Sequence, residues 1–237
     1  QALCNESNIM PLPDSMDYKT GAIFPLNYGT AIHAFKQRAE LKKGENVLIM
    51  GAAGGLGITA IHIAKAMGAN VIAAASSQEK LDLCELQGAD STILYSRDNM
   101  DRDAQKQFST QLKKLTDRKG VDVVFDPVGG AYSEPALRAI AWEGRYLVIG
   151  FTSSIPSIPL NLALLKGCQI VGVFWGAFCM REPILNAENF QQLFSLYEKG
   201  DIKPFVTETF PLEQTADAID KLANRNAIGK ITITVKN

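Results

Sequence analysis

The chain has 237 residues, which at about 150 residues per domain is one large domain or one and a half, and is enough to bury a core without disulfide or metal staples. Its 46% apolar and 21% charged residues are those of an ordinary globular protein, and a formal charge of −1 without a clustered basic stripe argues against a nucleic-acid partner. No apolar run approaches the roughly 18 residues of a membrane span, and the N-terminus lacks the basic and apolar regions of a secretory signal. The four cysteines (Cys4, Cys84, Cys168, Cys179) show no CxxC spacing, so neither a zinc cluster nor a disulfide framework is expected. A reducing, intracellular compartment fits best, the cytoplasm ahead of the mitochondrion.

The chain opens at Gln1 without methionine and runs into a Pro-rich turn, PLPDS, which suggests a piece of a longer protein. Residues 15–40 read as helical, broken at Pro25. From residue 46 the pattern alternates. NVLIM (46–50) is a strand followed by the glycine loop GAAGGLG and a helix, ITAIHIAKAMG. A second strand, ANVIAAA, precedes a helix ending at Gly88, and DSTILY (90–95) is the third strand. Residues 99–118 place Phe108, Leu112 and Leu115 on one helical face, stopped by Gly120. The basic residues between Lys113 and Lys119 are interrupted by Leu115, Thr116 and Asp117 and read as a solvated helix face. VDVVFD (121–126) is strand four. A helix over 133–144, a fifth strand at 145–151, a short helix over 160–167 and a sixth strand at 168–174 follow.

Six strands apolar on both faces and separated by helices predict a doubly wound α/β parallel sheet with right-handed crossovers. Residues 183–199 add a helix, and 204–237 read strand, helix, strand. The last two strands alternate polar and apolar, expect one wet face, and belong to a second subdomain and not to the doubly buried sheet. The expected division is therefore 41–199 as a dinucleotide-binding domain, with 1–40 and 200–237 outside it.

The strongest chemical signal is Gly51-Ala52-Ala53-Gly54-Gly55-Leu56-Gly57 between the first strand and its helix. A tight turn there needs small residues. Gly54 or Gly55 lets the backbone approach a pyrophosphate, Gly57 lets the helix pack on the strand, and the free N–H groups of the helix start, Leu56 included, face the anion. The spacing is GxxGxxG and not the commoner GxGxxG; the unliganded alternative is a tight strand–helix turn. Where an NAD site expects an acid for the ribose 2′-hydroxyl, this chain has Ala73-Ala74-Ala75-Ser76-Ser77, with Lys80 close by. Hydroxyls and an ammonium suit a 2′-phosphate, which a carboxylate would repel, so NADP(H) is the expected cofactor.

PLPDSMDYKTGA, NYGTA, GAAGGLG, the pair Lys80 and Tyr95, DPVGG, AWEGRYLVIGF, GVFWG and NAIGKITI together resemble the quinone oxidoreductase (zeta-crystallin-like) branch of the medium-chain dehydrogenase/reductase family. The resemblance covers the whole chain. It implies a Rossmann fold carrying remnants of a GroES-like catalytic domain at 1–40 and 200–237. It implies that Ser76, Lys80 and Tyr95 surround the 2′-phosphate, that Gly54 to Gly57 hold the pyrophosphate, and that Val128, Gly150, Phe151 and the backbone of Phe174 and Trp175 lie near the nicotinamide ribose and carboxamide. Arg225 would return to the cofactor. For Tyr95 and Trp175 aromatic core packing is the competing reading, and Asp126 is expected to be structural.

Zinc alcohol dehydrogenases of the same superfamily hold their metal with Cys and His. NYGTA contains no Cys, and His33 and His62 have no ligand partner at useful spacing, so the expectation is metal-free hydride transfer from NADPH to a small conjugated carbonyl such as a quinone. Tyr28 is the candidate proton donor, with helix packing as its alternative, and Asn27 and Thr30 are candidate hydrogen-bond donors. Two other functions stay open, a non-catalytic NADPH-binding, crystallin-like protein and an enoyl-thioester reductase. This chain alone is expected to bind NADPH but turn over weakly. The resemblance also implies a homodimer through antiparallel pairing of strand Cys168 to Phe174.

Overall fold

The computed structural model describes residues 3–4, 6, 9–96, 101–224 and 227–235. Six parallel strands form one sheet in the order β3-β2-β1-β4-β5-β6. They are β1 (Asn46–Ile49), β2 (Asn70–Ala75), β3 (Ser91–Leu94), β4 (Val121–Asp126), β5 (Ile140–Val148) and β6 (Gln169–Gly172). The helices are α1 (Tyr18–His33), α2 (Gly55–Ala66), α3 (Gln78–Leu86), α4 (Arg102–Leu115), α5 (Ser133–Arg138), α6 (Asn161–Lys166), α7 (Trp175–Arg181), α8 (Pro183–Glu198) and α9 (Thr215–Ala223). This is the doubly wound, Rossmann-like sheet expected from the strand pattern, and its order reverses between β1 and β4.

The period of two along β1 shows why the strands are apolar throughout. Val47 and Ile49 join the cluster under α1, α2 and α8, with Phe24, Tyr28, Phe35, Ile61 and Phe190. Leu48 and the following Met50 join the opposite cluster, with Phe108, Leu112, Val124 and Leu137. Both faces of the sheet are therefore dry at its centre, while the edge strand β6 is largely exposed. Asp101 caps α4 by accepting the Ala104 N–H at 2.9 Å, and the helix buries Phe108 and Leu112. All four cysteines are free thiols. Among the described residues no helix is long and apolar enough to cross a membrane.

Three elements differ from the sequence reading. Pro25 lies inside α1 and does not break it. The local penalty of about 3 kcal/mol is overridden by packing: Phe24 stacks on Tyr28 at 4.5 Å and on Phe194 at 5.6 Å. The helix then widens into a π turn over Ala34–Arg38. The helix expected over 133–144 ends at Arg138, and β5 begins at Ile140, paired with Val121. A register shift and a left-handed Glu143 (φ 58°) accommodate the extra residues as a bulge. Helix α7 was not foreseen, because a seven-residue helix burying only Phe178 shows no periodicity.

The C-terminal strands β7 (Val206–Pro211) and β8 (Lys230–Thr234) pair in parallel as a separate two-stranded sheet, with α9 between them. Thr209 and Thr232 join hydroxyls across it at 3.0 Å. Just before β8 the chain touches the glycine turn: the Gly229 N–H donates to the Ala53 carbonyl at 2.8 Å, and Gly54 and Gly229 form a parallel bridge.

Candidate functional site

A cleft of about 260 Å³ opens at the C-terminal ends of β1, β2 and β4, where the strand order reverses. Gly51, Ala53, Gly54 and Gly55 form one wall, Ala75, Ser76, Lys80 and Tyr95 another, and Val128, Tyr132, Thr152 and Ser153 a third. Gly229 closes it from the C-terminal segment. Among the described residues no carboxylate lines it.

The glycine turn is built for close approach. Gly54, the N-cap of α2, has no side chain to offer, and the Ile58 N–H is the first to reach back to its carbonyl, at 2.9 Å. The amides of Gly55, Leu56 and Gly57 therefore have no helical acceptor. A Cβ on Gly57 would lie 2.5 Å from the carbonyl oxygens of both Gly51 and Ala52. Gly57 thus seats α2 on the end of β1, and it and Leu56 stand behind the cleft wall and not in it.

At the end of β2, three buried alanines (Ala73 to Ala75) lead to Ser76, and the first turn of α3 brings Lys80 to the same wall. Ser77 is the N-cap of α3 and stands outside the wall. Tyr95 donates its N–H to the Ala75 carbonyl at 3.0 Å. Its ring lies 4.7 Å from that of Tyr132, whose hydroxyl donates to the Ser96 carbonyl at 2.9 Å. Tyr132, Thr152 and Ser153 were missed by sequence reasoning. The only local signal was the Gly-Gly turn two residues before Tyr132.

Val128 is held in the third wall by Asp126. One carboxylate oxygen of Asp126 accepts the N–H groups of Val128 and Gly129 at 2.8 and 2.9 Å. The other accepts the Ser133 hydroxyl at 2.9 Å and the Tyr146 hydroxyl. Burial and this negative charge hold the Tyr146 phenol well above the usual range. Gly129 takes φ 71° here, and a Cβ on it would meet the Ser154 carbonyl oxygen at 2.5 Å. Asp126 thus shapes the loop and does not face the cleft.

The residues expected to do proton chemistry are placed differently. Tyr28 is 1% exposed, and its hydroxyl meets His62 Nδ1 at 2.8 Å. His62 Nε2 meets the Gln87 amide oxygen at 2.9 Å, so the imidazole proton sits on Nε2 and Nδ1 accepts the phenol. Burial raises the Tyr28 phenol and lowers the His62 imidazole. Tyr28 is a core residue whose hydroxyl is satisfied by its neighbour, the packing role weighed beside proton donation. Thr30 donates its hydroxyl to the Leu26 carbonyl at 2.6 Å, within its own helix. Asn27 is 4% exposed, and its Nδ2 has no hydrogen-bond partner among the described residues.

Trp175 lays its indole on Gly29 and donates from Nε1 to Asn186 at 3.1 Å, so its ring belongs to the packing of α1 and α8. Phe174 is 75% exposed, and neither it, Gly150 nor Phe151 lines the cleft. Phe151 packs instead beside Gly129. Arg225 lies outside the described residues.

His33 stacks on Phe178 at 4.0 Å, and no group of three or more His, Cys, Asp or Glu side chains suited to a metal comes together among the described residues.

A family model described as zinc-binding dehydrogenase matches residues 55–199. The chain is similar to quinone oxidoreductase-like protein 2 of Bos taurus, 34% identical over 238 residues, covering 100% of this chain and 66% of that protein. It is equally similar to a homologue of that protein in Nematostella vectensis, 34% identical over 234 residues, covering 98% of this chain and 62% of the relative. The chain therefore spans a little under two thirds of the length of these curated relatives. Among solved structures, Escherichia coli quinone oxidoreductase complexed with NADPH matches with a TM-score of 0.83 at 26% identity, over 94% of this chain and 67% of that one.

Proposed function

Because this chain belongs to the quinone oxidoreductase branch of the medium-chain dehydrogenase/reductase family, we propose that it forms the coenzyme-binding part of an oxidoreductase that uses NADPH to reduce a quinone or another conjugated carbonyl. The observation that carries this reading is the acid-free end of β2, where Ser76, Lys80 and Tyr95 share one cleft with the glycine turn. A ribose 2′-phosphate carries charge that hydroxyls and an ammonium accept and a carboxylate would repel. The E. coli relative solved with NADPH supports the same coenzyme.

When bound, NADPH supplies the hydride. The protein's own residues bind and orient it. The start of α2, with Gly55 in the cleft wall, faces the pyrophosphate, Ser76 and Lys80 the 2′-phosphate, and the Tyr95–Tyr132 pair offers an aromatic wall to the base. Asn27 is the residue on α1 that remains as a hydrogen-bond donor to the reacting end, because a buried amide with no internal partner is uncommon unless a ligand supplies one. The reaction is read as metal-free, since His33 and His62 are committed to ring stacking and to Tyr28.

Titration with both coenzymes tests the reading. Lys80→Ala is expected to weaken NADPH binding by about tenfold, the scale of one charge-assisted hydrogen bond, and to leave NADH binding unchanged. An equal loss for the two coenzymes would remove the 2′-phosphate from this ledge.

The same reading makes residues 41–199 the dinucleotide-binding domain and assigns 1–40 and 200–237 to a catalytic domain. It also pairs two copies through β6. That strand is the free edge of the sheet, with Ile170 exposed and Leu164, Leu165 and Phe174 exposed around it. Sedimentation is expected to give twice the chain's mass, falling to a single mass in Ile170→Lys; a wild-type chain sedimenting as one copy would refute the pairing.

A further inference from the structure

Lys230, the first residue of β8, lies across the glycine turn. Its Cγ, Cδ and Cε lie 2.6, 2.7 and 2.6 Å from the position a Cβ on Gly55 would take. The space left by that missing side chain is therefore filled by a lysine stem. The placement is fixed from below, because the neighbouring Gly229 donates its N–H to the Ala53 carbonyl and bridges Gly54.

The ammonium of Lys230 has no hydrogen-bond or ion-pair partner among the described residues, although the residue is half-buried. Burial lowers its proton affinity, and no carboxylate among the described residues restores it. Three other partly buried cations are paired with carboxylates: Lys65 holds Asp90, Arg145 holds Glu45 and Lys221 holds Glu208, each at 2.6 Å. Lys230 also stands at the first turn of α2, the positive end of that helix dipole, where a second positive charge is unfavourable. Desolvation and the dipole both act against the ammonium, and one anion placed between it and the α2 amides would relieve both.

We propose that Lys230 supplies the counter-charge to the coenzyme pyrophosphate, its stem seated on Gly55 and its ammonium on the same anion that the start of α2 at Gly55 faces. This rests on the reading of the cleft as a dinucleotide site and adds a positioning residue from outside the glycine turn. It also gives Gly55 a distinct reason to be glycine: its side-chain space belongs to Lys230. A lysine acts on phosphate as a point charge, without the fixed fork of arginine, so the contact favours any pyrophosphate and does not tell the two coenzymes apart. Selectivity stays with Ser76 and Lys80, and Lys230 adds affinity common to both.

The experiment titrates the full chain with NADPH, NADH and 2′-AMP, which carries the 2′-phosphate but no pyrophosphate. Lys230→Gln is expected to weaken NADPH and NADH by the same factor, about tenfold, with their ratio unchanged. Binding of 2′-AMP stays at the wild-type level, which shows the ledge intact, and Lys230→Arg stays close to wild type for all three. Lys230→Gln binding both coenzymes as tightly as wild type would overturn the proposal. So would a loss confined to NADPH, or a loss of 2′-AMP binding in parallel with the coenzymes. A wild-type chain that binds neither coenzyme would bring down the dinucleotide reading itself, a result distinct from the other three.

Discussion

Asp126→Ala is expected to destabilise the chain by about 3–5 kcal/mol and to abolish coenzyme binding with it. The carboxylate is 3% exposed and satisfies four donors from three stretches of chain: the amides of Val128 and Gly129, the hydroxyl of Ser133 at the start of α5, and the phenol of Tyr146 on β5. Each donor stranded without water costs about 1–3 kcal/mol, partly recovered where the loop relaxes toward solvent. The loss also reaches the cleft, because Val128 lines it only while the turn after β4 keeps its shape. Asp126→Asn should lose less. Its amide oxygen still accepts the two backbone N–H groups, and the Ser133 and Tyr146 hydroxyls can turn to accept from its nitrogen. Urea unfolding of the two variants checks the order. A cost below about 1 kcal/mol for Asp126→Ala would show that the loop holds itself.

The centre of the main sheet could be read from the amino acids because its strands are buried on both faces. Val47 and Leu48 point to opposite cores, so β1 is apolar at consecutive positions, a pattern no half-wet element shares. The start of β5 could not be read that way. Ala139 to Gly144 carries helix-forming residues, and only pairing with β4, through a bulge at Glu143, makes it a strand. Pro25 misled for the same reason: the sequence shows the missing N–H but not the aromatic stack that holds α1 together across it.

The cleft divides in the same way. The glycine turn, Ser76 and Lys80 lie within 30 residues of one another on one strand–helix–strand unit, and their chemistry shows in their spacing. Tyr132, Thr152 and Ser153 reach the cleft only because β4 sits beside β1 and β5 beside β4. Tyr28 marks the limit of reading roles from residue types. A phenol on a helix looks the same in sequence whether it faces a substrate or a histidine, and here it faces His62. Lys230 is the converse case, unremarkable in GKITI until the fold lays it on a glycine more than 170 positions earlier.

Gly57→Ala and Gly55→Ala separate the two functions of the turn. A Cβ on Gly57 would stand 2.5 Å from two carbonyl oxygens and 2.6 Å from a carbonyl carbon, all backbone of the turn itself. No side chain can rotate out of the way, so α2 must lift from the end of β1. We expect a loss of about 3 kcal/mol or more in thermal or urea unfolding, exceeding the roughly 1 kcal/mol that alanine gains over glycine within a helix. NADPH binding should be lost as well, because the amides of the first turn retreat with the helix. On Gly55 the nearest atoms to the added methyl are the Lys230 methylenes, the flexible part of a long side chain. Stability should then change by less than about 1 kcal/mol, while coenzyme affinity falls as the displaced lysine leaves the anion. The pair thus predicts one variant that loses fold and coenzyme together and one that loses coenzyme alone. A Gly57→Ala chain as stable as wild type would mean that α2 does not sit this close to the sheet, and the cleft between them would then have a different floor.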